Sequence, residues 1–141
     1  MKHATTAPSL AISWLLMTGL GSAGAAQGGV DFGKSEFETS CASCHGASGK
    51  GDGVRFRHFV SPPADLTTLT KRNGGVFPFQ RVWDTVDGRT EVENGPHGTR
   101  DMPVWGLVYR AQAQDTPHPP DWYARNRLAA LLDYLARIQE K

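Results

Sequence analysis

The chain has 141 residues, 39% of them hydrophobic, and carries 15 lysines and arginines against 14 aspartates and glutamates. That length suits one ordinary domain and is short for two. The near-neutral balance shows none of the basic excess expected of a nucleic-acid binder.

The chain opens on Met1-Lys2-His3, continues with an apolar run from Leu10 to Leu20 (LAISWLLMTGL), and then turns to small residues, GSAGAAQGG. This is the three-part layout of a secretory signal peptide, here over residues 1–26, which leaves residues 27–141 as the working domain. The apolar run is about half the length of a membrane-spanning helix, so cleavage is expected rather than anchoring, with no stable membrane insertion afterwards. No cysteine at the cleavage region offers a lipid anchor. Removing the leader takes Lys2 with it and leaves a formally neutral domain. Export to the periplasm would put the two cysteines, Cys41 and Cys44, in an oxidising compartment where free thiols do not persist.

Three helical segments come next. From about Asp31 to Ala42, Gly33, Phe37 and Cys41 recur at steps of four and share one helix face. From about Pro78 to Val86, the positions Phe79, Val82, Trp83 and Val86 have helical spacing, with Gly88 as the stop. After Pro119-Pro120, Asp121 offers an N-cap, and Leu128, Leu131, Leu132, Leu135 and Ile138 form an apolar stripe at helical period. The short stretches VEN and VWGLVY are ambiguous between strand and loop, and the rest reads as loop, including the glycine-rich Gly46–Gly53 and the Pro62-Pro63 segment. The expected class is all-α. Loops this long are unusual in a compact domain, and three modest helices make a thin core. A large apolar cofactor wrapped by the loops would remove both difficulties.

The stretch ETSCASCHGASGKGDG, Glu38 to Gly53, holds both cysteines. A structural zinc site wants a second cysteine pair or two suitably spaced histidines, and the chain has neither. A redox dithiol sits at a strand-to-helix junction, and no strand precedes this pair. A disulfide across so short a loop would constrain almost nothing. C-x-x-C-H is also the attachment signature of c-type haem. Cys41 and Cys44, three apart, can reach the two vinyl edges of one porphyrin, and His45 then meets the iron as proximal ligand. On the other face the preferred ligand is Met102, the single methionine of residues 27–141, in GPHGTRDMPVWG. Pro103 stiffens the chain beside it and Trp105 supplies a bulky aromatic nearby. His97 and His58 are the rivals for that position.

With these residues in view, the sequence resembles the class I c-type cytochromes of bacteria, the monohaem kind, along essentially all of residues 27–141. GKSEFETSCASCHG looks like the family's first helix, GKGDG and PPADLT like its loop below the haem, DMPVWG like its methionine loop and LAALLDYLARIQ like its last helix. The resemblance implies first and last helices crossing closely, with Gly33 and Phe37 meeting Leu131, Tyr134 and Leu135. It also implies that a proline carbonyl, Pro63 or else Pro62, holds the Nδ1–H of His45. The segment Leu107–Tyr123 is longer than a minimal member needs, and its His118 and Trp122 read as solvated loop residues or partner-facing ones. The cofactor expected is one haem c held by two thioethers, with His45 and Met102 on the iron and Arg89 and Arg100 as candidates to neutralise the propionates. The expected function is periplasmic electron transfer between a donor dehydrogenase and an acceptor oxidase or reductase, not substrate turnover. The alternatives are a haem protein with a displaceable distal ligand, acting as a ligand binder or peroxidase, and an electron-transfer subunit of a larger oxidoreductase.

Overall fold

The structure, a computed structural model, describes residue 1 and residues 29–55, 61–89 and 102–140. The leader beyond Met1, the VEN stretch, His58, His97 and Arg100 lie outside the described residues. Among the described residues there are six α-helices and no strand: α1 (Phe32–Ser40), α2 (Ala42–His45), α3 (Leu69–Arg72), α4 (Phe79–Asp87), α5 (Trp105–Gln112) and α6 (Pro120–Arg137). Short 3₁₀ turns at Leu66–Thr68 and Ala113–Asp115 precede α3 and follow α5. The fold is therefore all-α. No described helix is long and apolar enough to cross a membrane.

α1 begins at Asp31, whose carboxylate accepts a hydrogen bond from the Lys34 amide at 3.0 Å, satisfying one of the free donors of the first turn. The same carboxylate receives Nη1 and Nη2 of Arg137, near the end of α6, at 2.8 and 2.9 Å. The bonded Arg137 guanidinium, and then the Lys34 amide, lower the Asp31 pKa to about 2. One side chain thus starts the first helix and ties it to the end of the last.

The apolar stripe of α6 buries Leu128, Leu131, Leu132 and Leu135 against Phe37 of α1, Val82 and Val86 of α4, and Tyr109 of α5. The first and last helices cross at Gly33. A Cβ there would lie 2.1 Å from the Ala130 carbonyl oxygen and 2.8 Å from the Tyr134 Cβ. The Phe37 ring, fully buried, packs on Tyr134 with centroids 5.3 Å apart. The expected crossing is present, with Ala130 and Tyr134 as the residues nearest Gly33.

Three expectations need correction. The first helix does not run unbroken to Ala42. It stops at Cys41, whose amide still bonds the Phe37 carbonyl while its own carbonyl accepts from both Cys44 and His45, at 3.1 and 2.9 Å, to start α2. Asp121 does not cap the last helix. Proline's fixed φ suits the first helical position, so α6 starts at Pro120 and the Asp121 carboxylate instead takes Arg110 Nε at 2.7 Å. The stretch VWGLVY is neither strand nor loop, because from Trp105 it runs on to Gln112 as α5. Trp105, Tyr109 and Ala113 fall at steps of four, and Tyr109 and Ala113 are buried. α3 and α5, added to the expected helices, shorten the bare connections, while residues 46–55 and 61–65 still carry no helix. α4 ends as read from the sequence, at Gly88 with φ of 90°.

Gly33→Ala sets two magnitudes against each other. Alanine gains about 1 kcal/mol of helix propensity over glycine, whereas overpacking costs typically about 1–3 kcal/mol, and a backbone oxygen at 2.1 Å cannot yield by changing rotamer. The clash wins. Thermal unfolding of the variant should show a lower Tm, and an unchanged or raised Tm would mean that the helices do not cross this closely.

Candidate haem site

The bend at Cys41 decides where the chemistry points. The turn of α2 is closed by the glycine-rich loop folding back beneath it: the Gly51 amide bonds the His45 carbonyl at 2.8 Å, Gly53 bonds the Cys44 carbonyl at 3.1 Å, and Arg55 bonds the Ser43 carbonyl at 3.0 Å. Glycine is required at two of these places. Gly51 has φ of 81°, and a Cβ on it would lie 2.3 Å from the Pro63 carbonyl oxygen. A Cβ on Gly53 would lie 2.5 Å from the Cys44 carbonyl group. The Leu66 amide, bonded to the Gly49 carbonyl at 2.7 Å, fixes the following segment against this loop.

That segment orients the histidine. His45 Nδ1 lies 2.9 Å from the carbonyl oxygen of Ala64. A carbonyl only accepts, so Nδ1 carries the proton and the Nε2 lone pair is left for a metal. The partner is Ala64, not Pro63 or Pro62. The Pro63 carbonyl is turned onto Gly51, and the next carbonyl along the chain faces the imidazole.

Cys41, Cys44 and His45 form one wall of a cavity of about 770 Å³, within the roughly 300–1,000 Å³ of cofactor pockets. Val82 and Val86 of α4 and Leu131 and Leu135 of α6 supply apolar walls, and Met102, Pro103 and Trp105 close another side. The cavity thus gathers Cys41, Cys44, His45, Met102, Pro63 and Trp105 from the residues singled out in the sequence. His118 is elsewhere, exposed and packed at a tilt on Trp122 with 4.4 Å between ring centroids.

Arg89 is not brought to the cavity. Its Nε donates to Asp87 Oδ2 at 2.5 Å, because Asp87 is buried at the end of α4 and takes the cation two residues on. The charged side chains that do line the cavity are Arg55, Arg72 and Arg81, with no acidic residue among the described lining. Arg72 Nη2 donates to the Asp65 carbonyl at 2.6 Å, and none of the three makes a salt bridge among the described residues. One cue to Arg72 was in the sequence: no acidic residue stands three or four places from it on either side.

The cysteines are free thiols, and Cys41 is pushed up to about 12 by burial, then by the Glu36 carboxylate and by Cys44. Redox dithiols need the opposite, a depressed thiol pKa. Among the described residues no cluster of three or more His, Cys, Asp or Glu is assembled around a metal position. The arrangement instead fits a haem: two thiols beside an oriented imidazole, a methionine lining the same cavity, apolar walls, and guanidinium groups that make no salt bridge among the described residues and could meet the propionates. Residues 30–84 match the family model for cytochrome c.

The chain carries a c-type cytochrome domain. The family implies covalently bound haem c and a role as a haem-binding electron carrier, and Cys41, Cys44 and His45 lie in the matched span. Met102, Trp105, α5 and α6 lie beyond it, so the far side of the cavity rests on the structure alone. No curated protein and no solved structure matches the chain.

Gly51→Ala tests the orientation of the cytochrome's histidine. The added Cβ meets the Pro63 oxygen at a positive φ, and must move the segment that presents Ala64 to His45. Stability should fall by about 1–3 kcal/mol, and the visible spectrum of the loaded protein should show weakened axial ligation. A variant with wild-type spectrum and stability would mean that the Gly51–Pro63 contact does not position His45.

Proposed function

We propose that the cytochrome is a periplasmic one-electron carrier with His45 and Met102 as the axial ligands of a single haem c. The observation that carries this reading is the set Cys41, Cys44, His45 and Met102 around one apolar cavity, with His45 already held by Ala64 so that Nε2 is free. Bound there, the haem supplies one reversible electron as its iron cycles between ferric and ferrous.

Each protein group then has a physical task. The two cysteine sulfurs hold the macrocycle as thioethers. The Ala64 carbonyl fixes the tautomer and orientation of the imidazole. The soft Met102 sulfur favours the ferrous state and raises the potential. Val82, Val86, Leu131 and Leu135 keep water from the cavity, and the same low dielectric disfavours the more highly charged ferric form. Arg55, Arg72 and Arg81 meet the propionates, the role expected of Arg89. The layout of residues 1–26 supports export to the periplasm. Donor and acceptor would be redox proteins docking briefly through a small area, as such encounters do.

The test is carbon monoxide binding to the dithionite-reduced protein, followed in the visible spectrum. The wild type should keep a sharp low-spin spectrum, while Met102→Ala should retain the haem and bind carbon monoxide readily. Rapid binding by the wild type would contradict firm methionine ligation and favour a ligand-binding or catalytic haem protein.

A further inference from the structure

Behind the attachment helix lies a buried carboxylate that the electron-carrier reading does not use. Glu36 is 5% exposed. Its Oε1 accepts Tyr109 Oη at 2.7 Å and Ser40 Oγ at 2.8 Å, and its Oε2 accepts Arg127 Nε at 2.7 Å and is also bonded by Arg127 Nη2. Arg127 Nη1 in turn donates to Tyr123 Oη at 2.5 Å. The group joins α1, α5 and α6, yet stability alone is a weak reason for it. Replacing a buried ion pair with well-packed apolar residues is often neutral or stabilising.

Its position relative to the haem cavity gives another reason. Ser40 both lines that cavity and bonds the carboxylate. Trp105 also lines it and packs against Tyr109, with centroids 5.7 Å apart. The carboxylate is therefore one hydroxyl away from the haem wall. The two charges of the pair are not screened alike. The Arg127 side chain is 34% exposed and lines a second, more open cavity that shares Thr39, Ser40 and Trp105 with the haem cavity, so both charges lie behind the same wall, but water reaches Arg127 and weakens its field. The other buried acid, Asp87, differs because it faces two guanidiniums, those of Arg89 and Arg110.

We infer that Glu36 is a potential-setting residue, a buried anion that stabilises the ferric haem and holds the reduction potential below the value the same ligands would give beside a neutral side chain. The inference rests on the haem reading above and adds a group outside the ligand set.

Spectroelectrochemical titration of the haem-loaded protein tests it. Glu36→Gln keeps shape and most hydrogen bonds and should shift the midpoint potential upward. Glu36→Asp, which keeps the charge, should return it toward the wild type, as a packing effect would not. The double variant Glu36→Gln/Arg127→Gln removes both charges and leaves no unpaired guanidinium. It should also titrate above the wild type, because the better-buried charge dominates at the haem. A double variant matching or falling below the wild type would overturn the inference, as would an unmoved Glu36→Gln. A wild-type chain that takes up no haem would instead overturn the haem reading itself and the inference with it.

Discussion

The structure depends on how closely α1 and α6 approach each other at Gly33. Because that residue has no side chain, the Ala130 carbonyl can sit where a Cβ would be, and Phe37 one turn on reaches Tyr134 and the leucines of α6. This brings Cys41, Leu131 and Leu135 into the lining of one cavity. Asp31 fastens the same two helices at their ends through Arg137. The spacing of the haem walls is thus set by packing remote from the groups that would touch iron.

A second level of organisation is electrostatic. The chain carries a formal net charge of only +1, but its charges are sorted. Arg89, Arg110, Arg127 and Arg137 are paired with carboxylates that do not themselves line the cavity, and among the described residues Arg55, Arg72 and Arg81 line it with no salt bridge. A pocket for a group bearing two carboxylates is where unpaired guanidiniums are useful, since a bonded Arg–carboxylate pair is among the stronger polar contacts.

Much of this was legible in the sequence. The C-x-x-C-H pattern fixed the attachment chemistry, the leucine period found α6, and Phe79 to Val86 with Gly88 found α4. Met102 and nearby Trp105 do line the cavity. What escaped had physical causes. α5 was missed because exposed Leu107 interrupts its inward stripe of Trp105, Tyr109 and Ala113, blurring the period. The acceptor for His45 is a backbone oxygen, and a shift of one residue from Pro63 to Ala64 leaves no trace in side-chain types. Arg89 was misassigned because burial of Asp87 is a tertiary fact. Glu36 was not singled out in the sequence, because only the convergence of Tyr109, Ser40 and Arg127 from α5, α1 and α6 makes it a buried residue.

The account's central claim is that the cavity beside Cys41, Cys44 and His45 holds one covalently bound haem. The intact mass of the chain, produced in a cell able to attach haem and measured after denaturation, tests this most directly. The account predicts a gain of one haem that survives unfolding, with neither cysteine left to react with a thiol reagent. A chain without the added mass, its two cysteines reduced or joined to each other, would contradict it.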